Sequence, residues 1–480
     1  MEIKINGKKY AASEGETVLD VCRRENIPVP TLCQHGKLKR EAVCRLCLVE
    51  IGGKLVTSCT TKVSNGLEII TESEKIKKAR EINLELLWSD HAGKCISCKK
   101  NRQCEFQKLA EEYKIENFHF VPRRVEITSD EELNLVRDNW ARVVVDEENP
   151  VIARTTEYCV ECRRCINICP VKSYGFNHRG GASVVGTAYN EPLDCIFCGA
   201  CVKHCPTAAL TDQGDLENIV KDLDNMNILA VAVIDPAVLE SIGNEFPGVD
   251  SKEKLASLLR ELGFEKVFDS GWGYEKYVEA LEQEIHPRRW LFQKNKNNKH
   301  QLIISSFCPS AELYIRKYFP ELSGHIAKTL RPEELMAAAV KNEYARQEKI
   351  DSGNIRTVLI SACTARKKLK SSTLDCIITV RELGRLVRLK KYNPKNIKEV
   401  QADKFLNGYD EKYEKMTRFG NLSEILKSDL AIQKANGVLE IKKVLEDIQK
   451  RELECDFLEV MVCPEGCGNG GGQSMKISNF

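Results

Sequence analysis

Two stretches of this 480-residue sequence repeat one cysteine pattern, CVECRRCINICP at residues 159–170 and CIFCGACVKHCP at residues 195–206. Both read C-x2-C-x2-C-x3-C-P. Three thiolates this close in sequence can bind one metal centre from a single tight loop, whereas a fourth ligand must come from farther along the chain. The pattern therefore decides both the local fold and the chemistry of this region.

The repeated pattern resembles that of bacterial two-cluster ferredoxins, in which the fourth cysteine of each run serves the other cluster. The resemblance implies two [4Fe-4S] clusters with crossed ligands. One would be bound by Cys159, Cys162, Cys165 and Cys205, and the other by Cys195, Cys198, Cys201 and Cys169. Two structural zinc sites are the alternative, since these also use four cysteines. The triple spacing and the proline after each run favour clusters.

A second set of cysteines, Cys33, Cys44, Cys47 and Cys59, lies near the N-terminus in the spacing C-x10-C-x2-C-x11-C. A long cysteine loop with one distant ligand resembles the plant-type [2Fe-2S] arrangement, with different spacings. Upstream, Asn6-Gly7 predicts a two-residue hairpin turn, and Thr17 is expected to open a helix. This order of elements resembles a β-grasp ferredoxin, and a zinc site is the alternative.

A third set, His91, Cys95, Cys98 and Cys104, has the spacing H-x3-C-x2-C-x5-C. Three cysteines leave a [4Fe-4S] cluster one ligand short, and His91 is the nearest further donor. A neutral imidazole in place of a thiolate makes a cluster less negative, which should raise its reduction potential. The alternative is a three-cysteine cluster that does not use His91.

Composition limits the class of protein. The length suggests about three domains, and the net charge of +2 argues against a protein that coats nucleic acid. The longest apolar run has seven residues, far fewer than the roughly 18 that span a membrane, and the N-terminus lacks an apolar signal core. We therefore expect a cytoplasmic protein whose 22 cysteines are mostly reduced metal ligands. Cys22, Cys376 and Cys455 lie outside the sets and are expected to be buried hydrophobic side chains.

The C-terminal half alternates short apolar runs with amphipathic stretches, which predicts α/β layers with parallel strands. Strands are expected at 229–234, 302–306, 358–362, 376–380 and 457–462. Helices are expected at 251–262, 311–318, 332–345, 381–389 and 440–451. Motifs at the ends of parallel strands can converge on one crevice.

The order of these modules resembles the electron-transfer half of [FeFe]-hydrogenases, and the first modules also resemble the large peripheral subunit of respiratory complex I. The likeness continues in SSFCPS (305–310), SACTARKK (361–368) and MVCPEGCGNGGGQ (461–473), while DPAV (235–238) resembles the family's APAV. The resemblance implies a further [4Fe-4S] cluster on Cys308, Cys363, Cys463 and Cys467. In the family, the last of these cysteines also bridges to a hydrogen-producing diiron centre.

The resemblance implies an α+β multidomain fold with four parts. These are a β-grasp [2Fe-2S] ferredoxin domain (1–75), a His/Cys3 [4Fe-4S] domain (76–128), a two-cluster ferredoxin domain (129–220) and an α/β [FeFe]-hydrogenase-like domain (221–480).

The sequence departs from the family around the diiron pocket. Phe307 replaces a proton-carrying cysteine, and a phenyl ring has no exchangeable proton. Arg366 replaces a lysine and Glu333 replaces a glutamine, and neither change is conservative at a packed anionic site. The family's GxxFGxTGGV segment has no counterpart, and residues 391–420 stand there as an expected solvated helix or loop. We therefore expect no diiron centre.

These patterns predict an electron-transfer subunit with one [2Fe-2S] and four [4Fe-4S] clusters and with no site for FMN or NAD. The resemblance implies partners: an NADH- and FMN-binding flavoprotein, a small [2Fe-2S] subunit, ferredoxin, and a catalytic subunit such as a [NiFe]-hydrogenase or a formate dehydrogenase. It points to an anaerobic, electron-bifurcating NAD(P)H- and ferredoxin-linked complex. The alternatives are an [FeFe]-hydrogenase with an altered pocket and a redox or hydrogen sensor. The basic run at 286–300 is expected to be a solvated loop or a face for an acidic partner, not a nucleic-acid site.

Overall fold

The structure is a computed structural model, and it describes a defined part of the chain. The described residues are 1–36, 38–91, 95–96, 98–115, 119–120, 124–125, 141–142, 145–177, 184–187, 194–214, 216–294, 302–394, 397–426 and 430–475. Residues 295–300 of the predicted basic run, and the side chains of 286–294, lie outside the description. Within the described part, no helix combines the length and the apolar character needed to cross a membrane.

The N-terminal region contains a three-stranded mixed sheet, a separate two-stranded antiparallel sheet and one helix. Its strands are β1 (Glu2–Ile5), β2 (Lys8–Ala11), β3 (Leu48–Ile51), β4 (Lys54–Thr57) and β5 (Glu68–Ile69), and its helix is α1 (Val18–Arg24). β1 pairs antiparallel with β2 and parallel with β5. The predicted hairpin turn is confirmed, because Asn6 and Gly7 both have positive φ (49° and 79°). The predicted helix start is also confirmed, since Thr17 caps α1 in a capping box with Asp20.

The middle region consists of helices and short strands around cysteine loops. Its helices are α2 (Glu74–His91), α3 (Glu105–Glu112), α4 (Arg164–Ile168) and α5 (Ala200–His204). Its strands are β6 (Arg124–Val125), β7 (Ala141–Arg142), β8 (Val145–Asp146), β9 (Ile152–Thr155), β10 (Gly175–Asn177), β11 (Val184–Gly186) and β12 (Leu210–Asp212). β9 is the central strand of the antiparallel sheet β12-β9-β8, so the two cysteine repeats lie between strands that pair with each other.

The C-terminal region contains two parallel sheets, as predicted. A four-stranded sheet has the order β14-β13-β16-β17, and a three-stranded sheet has the order β15-β19-β18. The strands are β13 (Leu229–Ile234), β14 (Lys266–Asp269), β15 (Ile303–Ile304), β16 (Ile355–Ser361), β17 (Cys376–Thr379), β18 (Ile432–Asn436) and β19 (Phe457–Met461). All pairs in both sheets are parallel. Helices cover both faces of the larger sheet and bury two separate apolar cores.

The helices of this region match the predicted amphipathic stretches and add others. They are α6 (Leu216–Leu223), α7 (Ile242–Glu245), α8 (Lys252–Glu261), α9 (Gly271–Lys294), α10 (Pro309–Tyr318), α11 (Pro332–Ala339), α12 (Ala345–Glu348), α13 (Val380–Leu389), α14 (Asn421–Ile425) and α15 (Val438–Gln449). A π-helical turn, Val340–Tyr344, joins α11 to α12, so the predicted helix at 332–345 is continuous but changes its hydrogen bonding.

In the charged stretch 391–420, the described residues 391–394 and 397–410 form no helix or strand, and the 3₁₀-helix Glu411–Thr417 follows them. It is more than a solvated loop, because Phe405 and Met416 are buried in two different cores. Phe405 contacts the rings of Phe268, Trp272 and Tyr344. The sequence prediction missed this packing because many residues of the segment are charged and only a few apolar side chains, such as Phe405 and Met416, anchor it.

Candidate iron-sulfur centres

The two cysteine repeats fold into loops with the same backbone shape. In each loop the residues just before and just after the second cysteine have positive φ, namely Glu161 and Arg163 in the first repeat and Phe197 and Gly199 in the second. Such turns point backbone N–H groups inward. The N–H of Glu161 donates to Cys159 Sγ at 3.4 Å, and the N–H of Phe197 donates to Cys195 Sγ at 3.2 Å.

The fold crosses the fourth cysteine of each repeat to the other loop. A cavity is lined by Cys159, Cys162, Cys165 and Cys205, which are the predicted ligands of one cluster. Burial raises the pKa of the Cys165 thiol, and charges on the other three members of this set raise it further. Cys169 lies with the opposite set: burial raises the pKa of Cys198, and charges on Cys201, Cys195 and Cys169 raise it further.

The four cysteines of the N-terminal set also converge and are all buried. The N–H of Cys33 donates to Cys44 Sγ at 3.4 Å. A side-chain hydrogen bond with Cys44 lowers the pKa of Cys33 to about 6. A side-chain hydrogen bond with Cys47 likewise lowers the pKa of Cys59. The set therefore forms two close sulfur pairs, of which Cys33 and Cys44 pack in one apolar core and Cys47 and Cys59 in another.

The third set is placed less completely, because residues 92–94 and 97 lie outside the described part of the chain. His91 ends α2, is 3% exposed, and contacts the rings of Trp88, Phe106 and Tyr158. Cys104 caps α3, where its sulfur accepts from the N–H of Gln107 at 3.4 Å. Cys104 and Phe106 belong to one apolar core, and His91 contacts the Phe106 ring, while Cys95 and Cys98 are partly exposed.

The last set lies at the ends of the two C-terminal sheets. Cys308, Cys363, Cys463 and Cys467 line one small cavity together with Phe307 and Arg366. Burial raises the pKa of Cys463, and charges on Cys363 and Cys308 raise it further. Thiols that resist ionisation in this way become thiolates only when a metal supplies positive charge.

Beside this cavity lies a buried group of charged side chains. Arg366, 1% exposed, is hydrogen-bonded to Asp235 and forms an ion pair with Glu333, whose Oε1 is 2.7 Å from Arg366 Nη2. The Tyr274 hydroxyl lies 3.3 Å from Asp235 Oδ1 and 3.4 Å from Glu333 Oε1. The Arg366 guanidinium also lies 5.6 Å from the centre of the Phe307 ring.

Sequence reasoning missed the roles of Asp235 and Tyr274 in this group. A signal for Asp235 existed, because an acidic residue directly follows the apolar strand LAVAVI and stands where the family has alanine. A buried carboxylate of this kind needs a cation, and Arg366 supplies it. Tyr274 gave no such signal, since it lies in an ordinary helical sequence.

The cysteine sets adjoin one another through shared apolar cores. Cys33 and Cys44 of the N-terminal set pack in one core with Cys104 and Cys162. The two crossed sets share a second core. A third core contains Cys198 on one side and Cys308 on the other. The sets thus form a continuous series from the N-terminal sheet to the C-terminal cavity.

Two glycines make the closest contact in this series. Gly199 lies between Cys198 and Cys201, and Gly471 lies in the glycine run after Cys467. A Cβ on Gly471 would overlap the Cys198 carbonyl oxygen, and a Cβ on Gly199 would overlap the Thr364 hydroxyl. The glycine run therefore allows two backbones to touch.

Among the described residues, no three His, Cys, Asp or Glu side chains converge tightly enough for a single metal ion. Convergence around a cavity, rather than around a point, suits a cluster of several atoms, because its ligands attach to different irons.

Comparison with protein families agrees with this geometry. The model for the iron only hydrogenase large subunit, C-terminal domain, matches residues 229–431 and 412–471, which together span half of the chain. The chain belongs to this family. Three further models match the N-terminal half of this family member: a 2Fe-2S iron-sulfur cluster binding domain (1–74), an NADH-ubiquinone oxidoreductase-G iron-sulfur binding region (80–119) and a 4Fe-4S dicluster domain (143–210). The predicted resemblance is confirmed, and the protein is of the iron–sulfur oxidoreductase type.

Some curated relatives match this iron-only hydrogenase family member over nearly its whole length, and others match less than half of it. The NADP-reducing hydrogenase subunit HndD of Solidesulfovibrio fructosivorans is 28% identical over 98% of the chain and 88% of its own length. Iron hydrogenase 1 of Clostridium pasteurianum is 26% identical, with the same coverage. The mitochondrial NADH-ubiquinone oxidoreductase 78 kDa subunit of Candida albicans is 27% identical, but over 44% of the chain and 28% of its own length.

Solved structures are more distant. An [FeFe]-hydrogenase from Chlamydomonas reinhardtii has a TM-score of 0.45 and 22% identity, and the match covers 54% of this chain and 84% of that one. An NAD+-reducing [NiFe]-hydrogenase chain has a TM-score of 0.39 and 23% identity, with coverage of 44% and 87%.

Proposed function

We propose that this chain is the electron-relay subunit of a multisubunit oxidoreductase and that it makes no hydrogen itself. The observation that carries the proposal is the unbroken series of cysteine sets, in which each set shares an apolar core with the next. Electron transfer needs neighbouring redox centres, and this series provides them through the whole chain.

The proposal assigns five clusters to five sets. A [2Fe-2S] cluster is bound by Cys33, Cys44, Cys47 and Cys59, and four [4Fe-4S] clusters are bound by the remaining sets. The first of these sets is His91, Cys95, Cys98 and Cys104, and the last is Cys308, Cys363, Cys463 and Cys467. Between them are the crossed sets, each with three cysteines of one repeat and the fourth of the other. When bound, each cluster takes up and releases single electrons.

The relay is branched at its N-terminal end. Cys33 and Cys44 of the N-terminal set and Cys104 of the His91 set share one apolar core with Cys162. Charge on Cys205 also raises the pKa of Cys98, after the larger effect of burial. Two routes therefore converge on the first crossed set, from which one route leads through Cys198 to the C-terminal cavity.

The buried ion group argues against a diiron centre next to that cavity. The two terminal nitrogens of Arg366 pair with Asp235 and Glu333, so these nitrogens are not available to an external anion. Phe307 lines the same cavity and offers no exchangeable proton. Opening this pocket for diatomic ligands would separate a buried ion pair, which costs about 3–5 kcal/mol.

A relay without a catalytic centre requires a donor and an acceptor in other chains. We propose a cytoplasmic, flavin-based electron-bifurcating complex with an NAD(P)H- and FMN-binding flavoprotein and a small [2Fe-2S] subunit. Ferredoxin, or a catalytic subunit such as a [NiFe]-hydrogenase or a formate dehydrogenase, would accept the electrons. The support is that relatives are named as an NADP-reducing hydrogenase subunit and an NADH-ubiquinone oxidoreductase subunit.

An anaerobic iron count with infrared spectra tests the proposal. Protein produced together with hydrogenase maturation enzymes should contain about 18 irons per chain, against about 20 if a diiron centre is present. Infrared bands of iron-bound carbon monoxide and cyanide, with hydrogen evolution from reduced viologen, would establish the active-hydrogenase alternative instead. Purification of the native protein without a flavoprotein would contradict the proposed complex.

A further inference from the structure

A cavity of about 80 Å³ lies where the second cysteine repeat meets the hydrogenase-like region. Its walls come from the loop after Cys98, from α5 and β12, and from α7 and α13. A site for one water needs only about 10–15 Å³, so this cavity has room for an ion of roughly five non-hydrogen atoms. It adjoins the first crossed set, because Cys205 lines both this cavity and the one formed by that set.

The charges around this cavity do not balance. Six cations line it: Lys99, Lys100, Lys203, Arg381, Arg385 and Arg388. Four carboxylates also line it, and each already has a partner. Arg381 pairs with Asp212, and Arg388 pairs with Glu245. The other two carboxylates pair with cations outside the lining, Glu105 with Arg164 and Glu382 with Lys367.

Four lining cations are therefore left without a carboxylate partner in the described part of the chain. Lys100 and Lys203 donate to backbone carbonyl oxygens, of Cys205 and Asn469. Lys99 and Arg385 make no hydrogen bond or ion pair to any described residue. The charge of Arg385 also adds to the effect of burial in lowering the pKa of Arg388, so these cations repel one another.

We infer that this cavity binds a phosphate group, with Arg385 as its principal ligand. A guanidinium fork matches a tetrahedral oxyanion through two parallel hydrogen bonds, and the neighbouring lysines add point charges. The available volume fits one such group. The phosphate is either a free ion or part of a nucleotide, and both sources present the same chemistry to Arg385.

The test uses the full-length, cluster-loaded protein under anaerobic conditions, with inorganic phosphate titrated calorimetrically at constant ionic strength. Arg385→Gln should weaken binding about tenfold or more, since it removes a charge-assisted hydrogen-bond pair. Arg385→Lys should retain part of the affinity. Lys442→Gln removes the same charge from an exposed helix position and should leave binding unchanged. Iron content and circular dichroism verify that each variant is folded.

Several results would overturn the inference. These are no binding by the wild-type protein, equal weakening by Lys442→Gln, or unchanged phosphate affinity in Arg385→Gln together with shifted cluster potentials. The last result would mean that Arg385 only offsets the charge of the clusters. Titration with AMP and adenosine identifies the source of the phosphate. Tighter binding of AMP than of inorganic phosphate indicates a nucleotide, whereas equal affinities for AMP and inorganic phosphate indicate the free ion. Equal affinities for adenosine and AMP would reject the site. The binding outcomes do not depend on the proposed electron relay, and only the readout of cluster potentials does.

Discussion

Replacing Arg366 with methionine should strongly destabilise the hydrogenase-like region. Arg366 is 1% exposed, and it neutralises two carboxylates, Asp235 and Glu333, that are both fully buried. Arg366→Met leaves both without a cation, and removing one partner of a buried ion pair costs about 3–5 kcal/mol. For a domain of this size, 1 kcal/mol corresponds to about 2–4 °C, so the melting temperature should fall by about 6–20 °C.

Anaerobic scanning calorimetry of the cluster-loaded protein measures this change. The matched control is Arg356→Met, because Arg356 is 30% exposed and pairs with Asp222 and Asp375 near the surface. Exposed pairs contribute about 0–1 kcal/mol, so this control should change the melting temperature little. The triple variant Arg366→Met, Asp235→Ala, Glu333→Leu should recover most of the loss, since apolar residues replace buried ion groups without penalty. If Arg366→Met lowers the melting temperature no more than Arg356→Met does, the ion group does not hold the pocket closed.

Three further changes have expected outcomes. Gly471→Ala places a Cβ against the Cys198 carbonyl, so rapid-mixing kinetics should show slower electron transfer to the last cluster, while Gly175→Ala, which meets open space, should not change the rate. Cys308→Ser should remove about four irons per chain in a colorimetric assay, whereas Cys22→Ala, a buried cysteine outside all sets, should remove none. Burial raises the pKa of Glu333 more than Arg366 lowers it, so the folded state holds this proton more tightly than the unfolded state. The stability contributed by this proton is complete below about pH 4.5 and is lost as the pH rises through the folded-state pKa. Urea titrations above pH 5 should therefore show a falling free energy of unfolding in the wild type, and no such fall from this group in Glu333→Gln.

Much of the architecture could be predicted because the relevant signals are local. The hairpin at Asn6-Gly7, the cap at Thr17 and the parallel strands of the C-terminal half follow from turn chemistry and from the period of apolar residues. The grouping of the cysteines followed from their spacing. The spacing alone could not indicate that Cys205 lies with the first repeat and Cys169 with the second, and this expectation came from a family resemblance.

Other features depend on contacts between distant segments. The pairing of Arg366 with Asp235 joins residues 131 positions apart, and neither residue alone predicts it. The sequence did not indicate which segment the glycine run after Cys467 contacts, whereas in the fold this run allows the approach of Gly471 to Gly199. The anchoring of the charged segment by Phe405 was likewise hidden, because overall charge says little about which few side chains are buried.

The contact between Gly199 and Gly471 also bears on how such a chain can evolve. Neither glycine brings a side chain to this junction, so substitutions elsewhere on the two loops can change the local polarity without pushing the loops apart. Main-chain atoms fix the distance between the two loops, whereas the surrounding side chains determine the local polarity. Point substitutions in the pocket beside Cys467 therefore need not change the spacing between these two loops.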